Sequence, residues 1–276
     1  QQACVDAGVE ALGYIPKDES IVIPSRHLGL SIDETFCFDA FADRVAEVID
    51  KTVNVDRLLE LCTVEFSGEQ TGGVICSGNR KIAIARDEAF NFMYRENVEA
   101  LKRAGEVVFF SPLHDKRLPD ADLVYFPGGY PELHLPELAA NEGMRQAVRK
   151  YCETGGRVLA ECGGMMYLCN EIRSTEGNVY PMAGVLKQGA TMEQMKLKLG
   201  YREVRVNGQR IRGHEFHYSR ILPGHEKIPV IGTIYNAKDM VVDTPVYTYK
   251  NVLASYIHFY WGECGIDHFL MLMSQK

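Results

Sequence analysis

No two cysteines in this sequence stand three residues apart, although it holds eight of them, at positions 4, 37, 62, 76, 152, 162, 169 and 264. That removes the usual spacing of a zinc knuckle or a dithiol redox pair. A secretory signal segment and an apolar run of 18 residues are also missing. The expectation is therefore reduced thiols in a cytoplasm, with no membrane partner and no disulfide framework. No segment fits G-x-x-x-x-G-K-[ST], so no phosphate-binding loop of that kind is expected. Internal repeats and low-complexity tracts are absent too. Cations are outnumbered, 30 Lys and Arg against 37 Asp and Glu, for a net charge of −7. This balance argues against nucleic acid as the main partner.

What is present suffices for a core. Apolar residues make up 46% of the 276 positions, a length for one large or two small domains. The chain opens on Gln1-Gln2-Ala3, with no methionine, and reads as if entered midway through a domain. Residues 1–33 are expected to form a last strand and a following loop. Within 34–62, Phe38, Phe41, Val45, Val48 and Ile49, and then Val55, Leu58 and Leu59, fall at helical spacing, which predicts two short helices. Residues 63–80, with Gly68, Gly72, Gly73, Gly78 and Asn79, read as a linker.

From Lys81 the pattern alternates. Strands are predicted at Ile82–Ala85, Val107–Phe110, Leu123–Phe126 and Val158–Glu161. Helices are predicted at Tyr94–Ala104, at Asn141–Thr154 and from Gly163. Such βα alternation implies an α/β fold with a mostly parallel sheet covered on both faces. After Gly177, β-prone segments at 185–186, 200–206, 214–219, 230–235, 246–249 and 252–257 suggest an antiparallel extension.

Three segments carry chemistry. In Arg157-Val158-Leu159-Ala160-Glu161-Cys162-Gly163-Gly164 an apolar strand runs into a thiol and two glycines at the start of a helix. Backbone N–H groups and the dipole there favour a thiolate, which is the nucleophilic form. The same strand–nucleophile–helix logic underlies the nucleophile elbow of hydrolases. A buried structural cysteine in a βα turn is the competing reading. In Leu123-Val124-Tyr125-Phe126-Pro127-Gly128-Gly129-Tyr130-Pro131-Glu132 a second strand ends in a Gly-Gly loop able to turn an N–H toward an oxyanion. The competing reading is a plain Gly-rich βα turn. Finally, His258 follows Cys162 by 96 residues, at the end of an aromatic-rich strand, and suits a base for that thiol or a packed core residue.

Together these segments resemble the glutamine amidotransferase domain of cobyrinate a,c-diamide synthases. Lys81–Phe90 with Phe92, Tyr94, Glu96 and Asn97, then Pro181–Leu186, Leu199–Arg202 and Arg212-Gly213-His214-Glu215-Phe216-His217-Tyr218-Ser219, are similar to further family segments. Upstream, Pro24-Ser25-Arg26-His27-Leu28-Gly29-Leu30 resembles a signature at the end of the family's synthetase domain. The likeness runs through nearly the whole chain in order.

The resemblance implies a flavodoxin-like class I glutamine amidotransferase domain over 81–276, preceded by a C-terminal remnant of an ATP-dependent synthetase domain over 1–62. It implies Cys162 as nucleophile, His258 as proton shuttle, and the Gly129 and Gly163 N–H groups as oxyanion donors. Tyr130, Glu132, His214, Glu215 and His217 are candidate substrate-binding residues. Arg26 and His27 face a corrinoid or simply stabilise a domain boundary. The partners implied are glutamine and a corrinoid acceptor in cobalamin biosynthesis, and a homodimer is compatible with the family. ATP and Mg²⁺ belong to the full-length enzyme, and neither a cofactor nor a metal is expected on this portion. His214 and His217 project to opposite faces of a strand, which makes joint ligation of a metal awkward. Many amidotransferases of this fold place an orienting glutamate two residues after the histidine. Here Tyr260 stands there, where the family often has a second histidine. Glu263 is three residues further, and the orienting partner of His258 is left open. Other readings are a nickel sirohydrochlorin a,c-diamide synthase, a non-catalytic binding module, and a cysteine peptidase or stress protein on a similar fold.

Overall fold

The computed structural model describes residues 2–23, 25–26, 29–30, 36–64, 78–262, 266–267, 270 and 272. Two compact units divide the chain, Gln1–Gly72 and Gly73–Lys276.

In the first unit, helix α1 (Gln2–Asp6) ends in a Schellman motif. Gly8, at φ +68°, donates to Val5 O, and Val9 N donates to Cys4 O. A turn of 3₁₀-helix covers Glu19–Ile21, where the Asp18 carboxylate accepts the Ser20 N–H at 2.8 Å. Strands β1 (Ser25–Arg26) and β2 (Gly29–Leu30) pair antiparallel. Helices α2 (Phe38–Thr52) and α3 (Val55–Cys62) follow, with the Asn54 side chain capping α3 at Arg57 N, 3.0 Å. Both helices expected within 34–62 are present. Among the described residues of 1–33, strand occurs as the short β1–β2 ribbon, and the opening residues are helical where a strand was expected. None of the described residues of this unit is fully buried.

The second unit opens with β3 (Arg80–Ala85), α4 (Arg95–Ala104), β4 (Gly105–Phe110) and β5 (Leu123–Phe126). Helices α5 (Leu135–Ala140) and α6 (Glu142–Glu153) lead to β6 (Arg157–Glu161) and the short α7 (Gly163–Leu168). Strands β7 (Cys169–Arg173), β8 (Val179–Pro181), β9 (Leu186–Thr191), β10 (Lys198–Val206), β11 (Gln209–His217) and β12 (Arg220–Leu222) come next. The last are β13 (Thr233–Asn236), β14 (Val246–Tyr249), β15 (Val252–Ser255) and β16 (Ile257–Phe259).

Helix α4 buries Asn97, Ala100 and Leu101, and α6 buries Met144, Val148 and Cys152, the one-face spacing of amphipathic helices. The main sheet runs β14-β15-β6-β5-β3-β4, parallel throughout except for β14. Its five parallel strands, counted along the chain, lie in the order 2-1-3-4-5, which is the flavodoxin-like arrangement. All four residues of β5 and of β15 are buried, as expected of parallel strands covered on both faces.

The antiparallel extension consists of two four-stranded sheets, β13-β10-β11-β16 and β12-β9-β7-β8. Within the second, β7 and β9 pair in parallel. An Asn207-Gly208 turn with φ of 50° and 74° joins β10 to β11, the two-residue geometry whose twist matches a hairpin. The segment read as one strand over 252–257 is two. Ser255 Oγ donates to Pro245 O and accepts the Ile257 N–H, the chain bends at Tyr256, and β16 leaves the parallel sheet to pair with β11. No described helix is long and apolar enough to cross a membrane.

Candidate active site

Open α/β sheets bind ligands beyond the carboxyl ends of their strands. Four chain segments meet there: the loops after β3, β5 and β6, and strand β16. Cys162 sits at the end of β6 with φ 46° and ψ −106°, an unusual conformation for a residue with a side chain. Its N–H donates to Ser255 O at 2.8 Å, which ties the elbow to β15. The two glycines that follow close the turn against β5. A Cβ on Gly164 would lie 2.3 Å from Phe126 O, and one on Gly163 would lie 2.7 Å from Pro131 Cδ. Such strain costs on the order of 1–3 kcal/mol and is characteristic of working sites.

Gly129 supplies the opposing wall, at φ 154°, where Tyr130 N donates to Ala89 O at 2.9 Å and Phe92 N donates to Gly128 O at 3.0 Å. The position of a Cβ on Gly163 is 3.2 Å from Gly129 N. The backbones of Gly129 and Gly163 thus lie close together beside the thiol.

Cys162 is 7% exposed, and its Sγ lies 3.9 Å from Phe216 O. No hydrogen bond joins it to His258 among the described residues. The helix it begins has six residues. Burial, followed by the charge of Glu132, pushes the thiol well above its ordinary range, with Glu161 and Glu215 adding to the effect; the Gly163 N–H pulls the other way.

His258, the base expected from sequence, is 4% exposed. Burial, then the neighbouring His214 and His217, hold it down to about 3, so it is neutral. Its ring packs edge-to-face with Phe92 at 4.7 Å and stacks on His214 at 4.9 Å and 18°.

One residue that the sequence reading did not single out fastens the two sides. Glu161, adjacent to the nucleophile, accepts the N–H of Phe259, adjacent to the base, at 3.3 Å, and its other oxygen lies 2.8 Å from the Tyr125 hydroxyl. Asn97 completes the attachment, donating to Phe259 O at 2.7 Å and accepting from Trp261 N at 2.9 Å. Asn97 and Glu161 lie inside two of the family-like segments, so a signal was there, but it did not reveal a role.

Burial lifts Glu161 from 4.5 to about 8. Between those values the folded protein holds a proton that the unfolded chain releases, so this group's stabilising contribution falls as pH rises through the window. The Glu161→Gln variant mimics the protonated acid. Its stability relative to wild type is therefore expected to rise between about pH 5 and about pH 9 in urea titrations. A difference that does not vary with pH would show that Glu161 is not protonated in the fold.

The remaining candidates divide into two groups. Tyr130 and Glu132 flank the thiol. Part of Glu132 reaches solvent, but its carboxyl is enclosed, and burial raises it to about 7. Tyr130 is raised by burial, then by Glu132 and Cys162. Glu215 and His217 instead point into a buried polar cluster. Glu215 accepts from Arg202 Nε at 2.7 Å, Thr244 Oγ1 at 2.8 Å and His217 Nε2 at 2.9 Å. His217 Nδ1 faces Ser219 O at 2.8 Å, and its ring lies flat on Tyr256. Both carboxylate oxygens and both ring nitrogens are occupied by protein groups, which leaves neither residue facing a substrate. Alternation along β11 explains the division, since His214 projects from the face opposite Glu215 and lies beside His258. Of the pair Arg26 and His27, the first contributes backbone to β1; its side chain, His27 and Glu263 lie outside the described residues. No group of three metal-ligating side chains occurs among the described residues.

Comparison with known proteins shows the family. Residues 81–264 match the family model of the CobB/CobQ-like glutamine amidotransferase domain, and the chain belongs to that family. It is 37% identical to a cobyrinate a,c-diamide synthase of Caldanaerobacter subterraneus subsp. tengcongensis, over 96% of this chain and 61% of the relative. It is 33% identical to the cobyrinate a,c-diamide synthase of Salmonella typhimurium, over 91% of this chain and 58% of the relative. It is 36% identical to the hydrogenobyrinate a,c-diamide synthase of Pseudomonas aeruginosa, over 93% and 58%. The chain thus spans about three fifths of the length of these relatives.

Proposed function

We propose that the second unit is a glutaminase supplying ammonia for ATP-dependent amidation of the a and c carboxylates of a corrinoid, as part of a cobyrinate a,c-diamide synthase. The observation that carries the glutaminase half is the strained Cys162 elbow with the Gly129 backbone against Gly163 and a neutral His258 at the same end of the sheet. The names of the relatives support the acceptor.

In this mechanism, Cys162 Sγ gives its proton to His258 and bonds to the side-chain amide carbon of glutamine. The N–H groups of Gly129 and Gly163 hold the resulting oxyanion. The carbon–nitrogen bond breaks, and His258 returns the proton to the leaving nitrogen, releasing ammonia and leaving a γ-glutamyl thioester. Water, deprotonated by His258, attacks the thioester; glutamate leaves and the thiol is restored. Tyr130 and Glu132 sit where they can meet the glutamine. The first unit is read as the end of a synthetase domain, with ATP and Mg²⁺ handled by a part of such an enzyme outside this chain. Placement in the cytoplasm and a homodimer belong to the same proposal.

The test is labelling with 6-diazo-5-oxo-norleucine, an electrophilic glutamine analogue, followed by peptide mass spectrometry with and without excess glutamine. A single adduct on Cys162, suppressed by glutamine, is expected. Cys152 and Cys169 are fully buried, so the competing thiols include Cys4 and Cys37. Labelling scattered over those, with Cys162 unmodified, would remove the glutaminase reading.

A further inference from the structure

Among the described residues, none gives His258 a side-chain hydrogen bond that could set its orientation. Its Nδ1 is buried without a partner among the described residues. Catalytic imidazoles are ordinarily oriented through the nitrogen that does not do the chemistry. Tyr260, at the place where related enzymes put an orienting carboxylate, does not bond to His258. It packs edge-on against Tyr94, with ring centroids 5.8 Å apart at 87°. From Tyr94 a continuous line of rings leads back to the base.

We propose that His214, fixed by Tyr94, is the positioning residue of His258, and that ring stacking does here what a carboxylate hydrogen bond does elsewhere. This rests on the glutaminase reading of Cys162 and His258, and it deepens that reading. His214 and His258 are direct partners in the antiparallel register of β11 and β16, so their side chains leave the sheet on the same face. The two imidazoles stack at 4.9 Å and 18°. The Tyr94 hydroxyl lies 2.5 Å from His214 Nδ1, and the two rings are 5.9 Å apart. A hydroxyl proton donated to Nδ1 places the proton of His214 on Nε2 and fixes the ring against rotation.

Phe92 braces both imidazoles, 5.8 Å from His214 and 4.7 Å from His258. On another side His258 meets bare backbone: a Cβ on Gly128 would fall 2.3 Å from its Cε1. The base therefore stands between Gly128, Phe92 and His214, and of these only His214 is itself anchored by a side-chain hydrogen bond. This arrangement also accounts for the orphaned Nδ1. A ring held by its faces and edges needs no hydrogen bond to keep its rotamer, and with no acidic group at Nδ1 it stays neutral.

Two other roles for His214 make different predictions. A substrate-binding residue would change the concentration dependence of the reaction. A packing residue would change stability without disturbing the geometry of His258. The test uses the intact chain and three variants, His214→Ala, His214→Phe and Tyr94→Phe. The readouts are saturation kinetics of inactivation by 6-diazo-5-oxo-norleucine and NMR of histidines labelled with ¹³C at Cε1. The His258 signal is assigned by its loss in His258→Gln.

His214→Ala is expected to lower the limiting inactivation rate about ten- to hundredfold, the penalty of a misplaced catalytic group, while the half-saturating concentration holds. The His258 resonance is expected to shift as its stacking partner disappears. His214→Phe, which restores a ring, is expected to recover the limiting rate to within about threefold of wild type. A limiting rate for His214→Ala within about twofold of wild type would overturn the proposal, as would a raised half-saturating concentration at an unchanged limiting rate. Should His214→Ala fail to fold, Tyr94→Phe decides: a shifted His258 signal and a slower limiting rate support the role, and neither change overturns it. Should wild type not label at all, the glutaminase reading fails. The His258 signal then still tests the positioning on its own, and an unmoved resonance in His214→Ala rejects it.

Discussion

Alanine in place of Cys162 abolishes reaction with 6-diazo-5-oxo-norleucine at this position and lowers glutamine hydrolysis by at least about 10³-fold, because the site then has no atom able to form the thioester. Both losses follow from one sulfur, yet the position has a second, opposite effect. With φ at 46° and ψ at −106°, Cys162 occupies backbone space that costs a residue bearing a Cβ on the order of 1–3 kcal/mol. Glycine occupies it freely. Cys162→Gly is therefore expected to be as inactive as Cys162→Ala and about 1 kcal/mol more stable than it, measured as a difference in denaturation midpoint. Hydrolysis persisting in the alanine variant would place the nucleophile elsewhere. Equal stability of the two variants would mean that the elbow stores no strain.

The other large effect concerns stability. Loss of the carboxylate in Glu215→Ala leaves Arg202, 8% exposed, with an uncompensated charge, and removes the acceptor of His217 and Thr244. Breaking a buried pair from one side costs about 3–5 kcal/mol, or roughly 10 °C in midpoint for a unit of this size. Lys198, 3.6 Å from the same carboxylate but 47% exposed, adds little. The double variant Arg202→Met with Glu215→Met is expected to recover much of the loss, since the cost lies in the charge left unpaired.

The pH sign follows from the same cluster. Burial alone raises the Glu215 carboxyl, but hydrogen bonds from His217 and Thr244 and the charges of Lys198 and His217 outweigh it and hold the group at about 2 against an ordinary 4.5. Its contribution is thus complete above about pH 4.5 and is lost as pH falls toward 2. Wild type is expected to lose stability through that window, and the double methionine variant to lose less. Parallel acid-denaturation curves for the two would refute the assignment.

How much of this was legible beforehand depended on whether the determinant was local. Strands β3, β5 and β6 are apolar runs bounded by turns, and α4 and α6 repeat apolar residues at helical spacing, so their positions could be read to within two residues. The elbow was legible for the same reason, a thiol followed by two glycines at the end of such a run. The bend at Tyr256 was not. Val252-Leu253-Ala254-Ser255-Tyr256-Ile257-His258-Phe259 is nearly apolar throughout, without glycine or proline, and only the bonds made by Ser255 Oγ to Pro245 and Ile257 split it into two strands. Nor was the field around Cys162 legible. Glu132 and Glu215 come from segments distant from Cys162 in the chain, and their influence on the thiol arises only when the sheets assemble. The separation of His214 from Glu215 and His217 followed from simple alternation. That His214 would then face His258 depended on the register between β11 and β16.

Strand β15 lies between β6 and β14 in the main sheet, although it follows β6 by some 90 positions in the chain. On a ribosome the thiol therefore emerges 96 residues ahead of its base. Throughout that interval the β6 edge that β15 will occupy has no partner, and contacts of such sequence separation form slowly. The meeting of Cys162 with His258 that the proposed glutaminase needs is complete only once β15 has inserted and β16 has joined β11. Closure of the sheet and completion of the proposed site are thus one event in time.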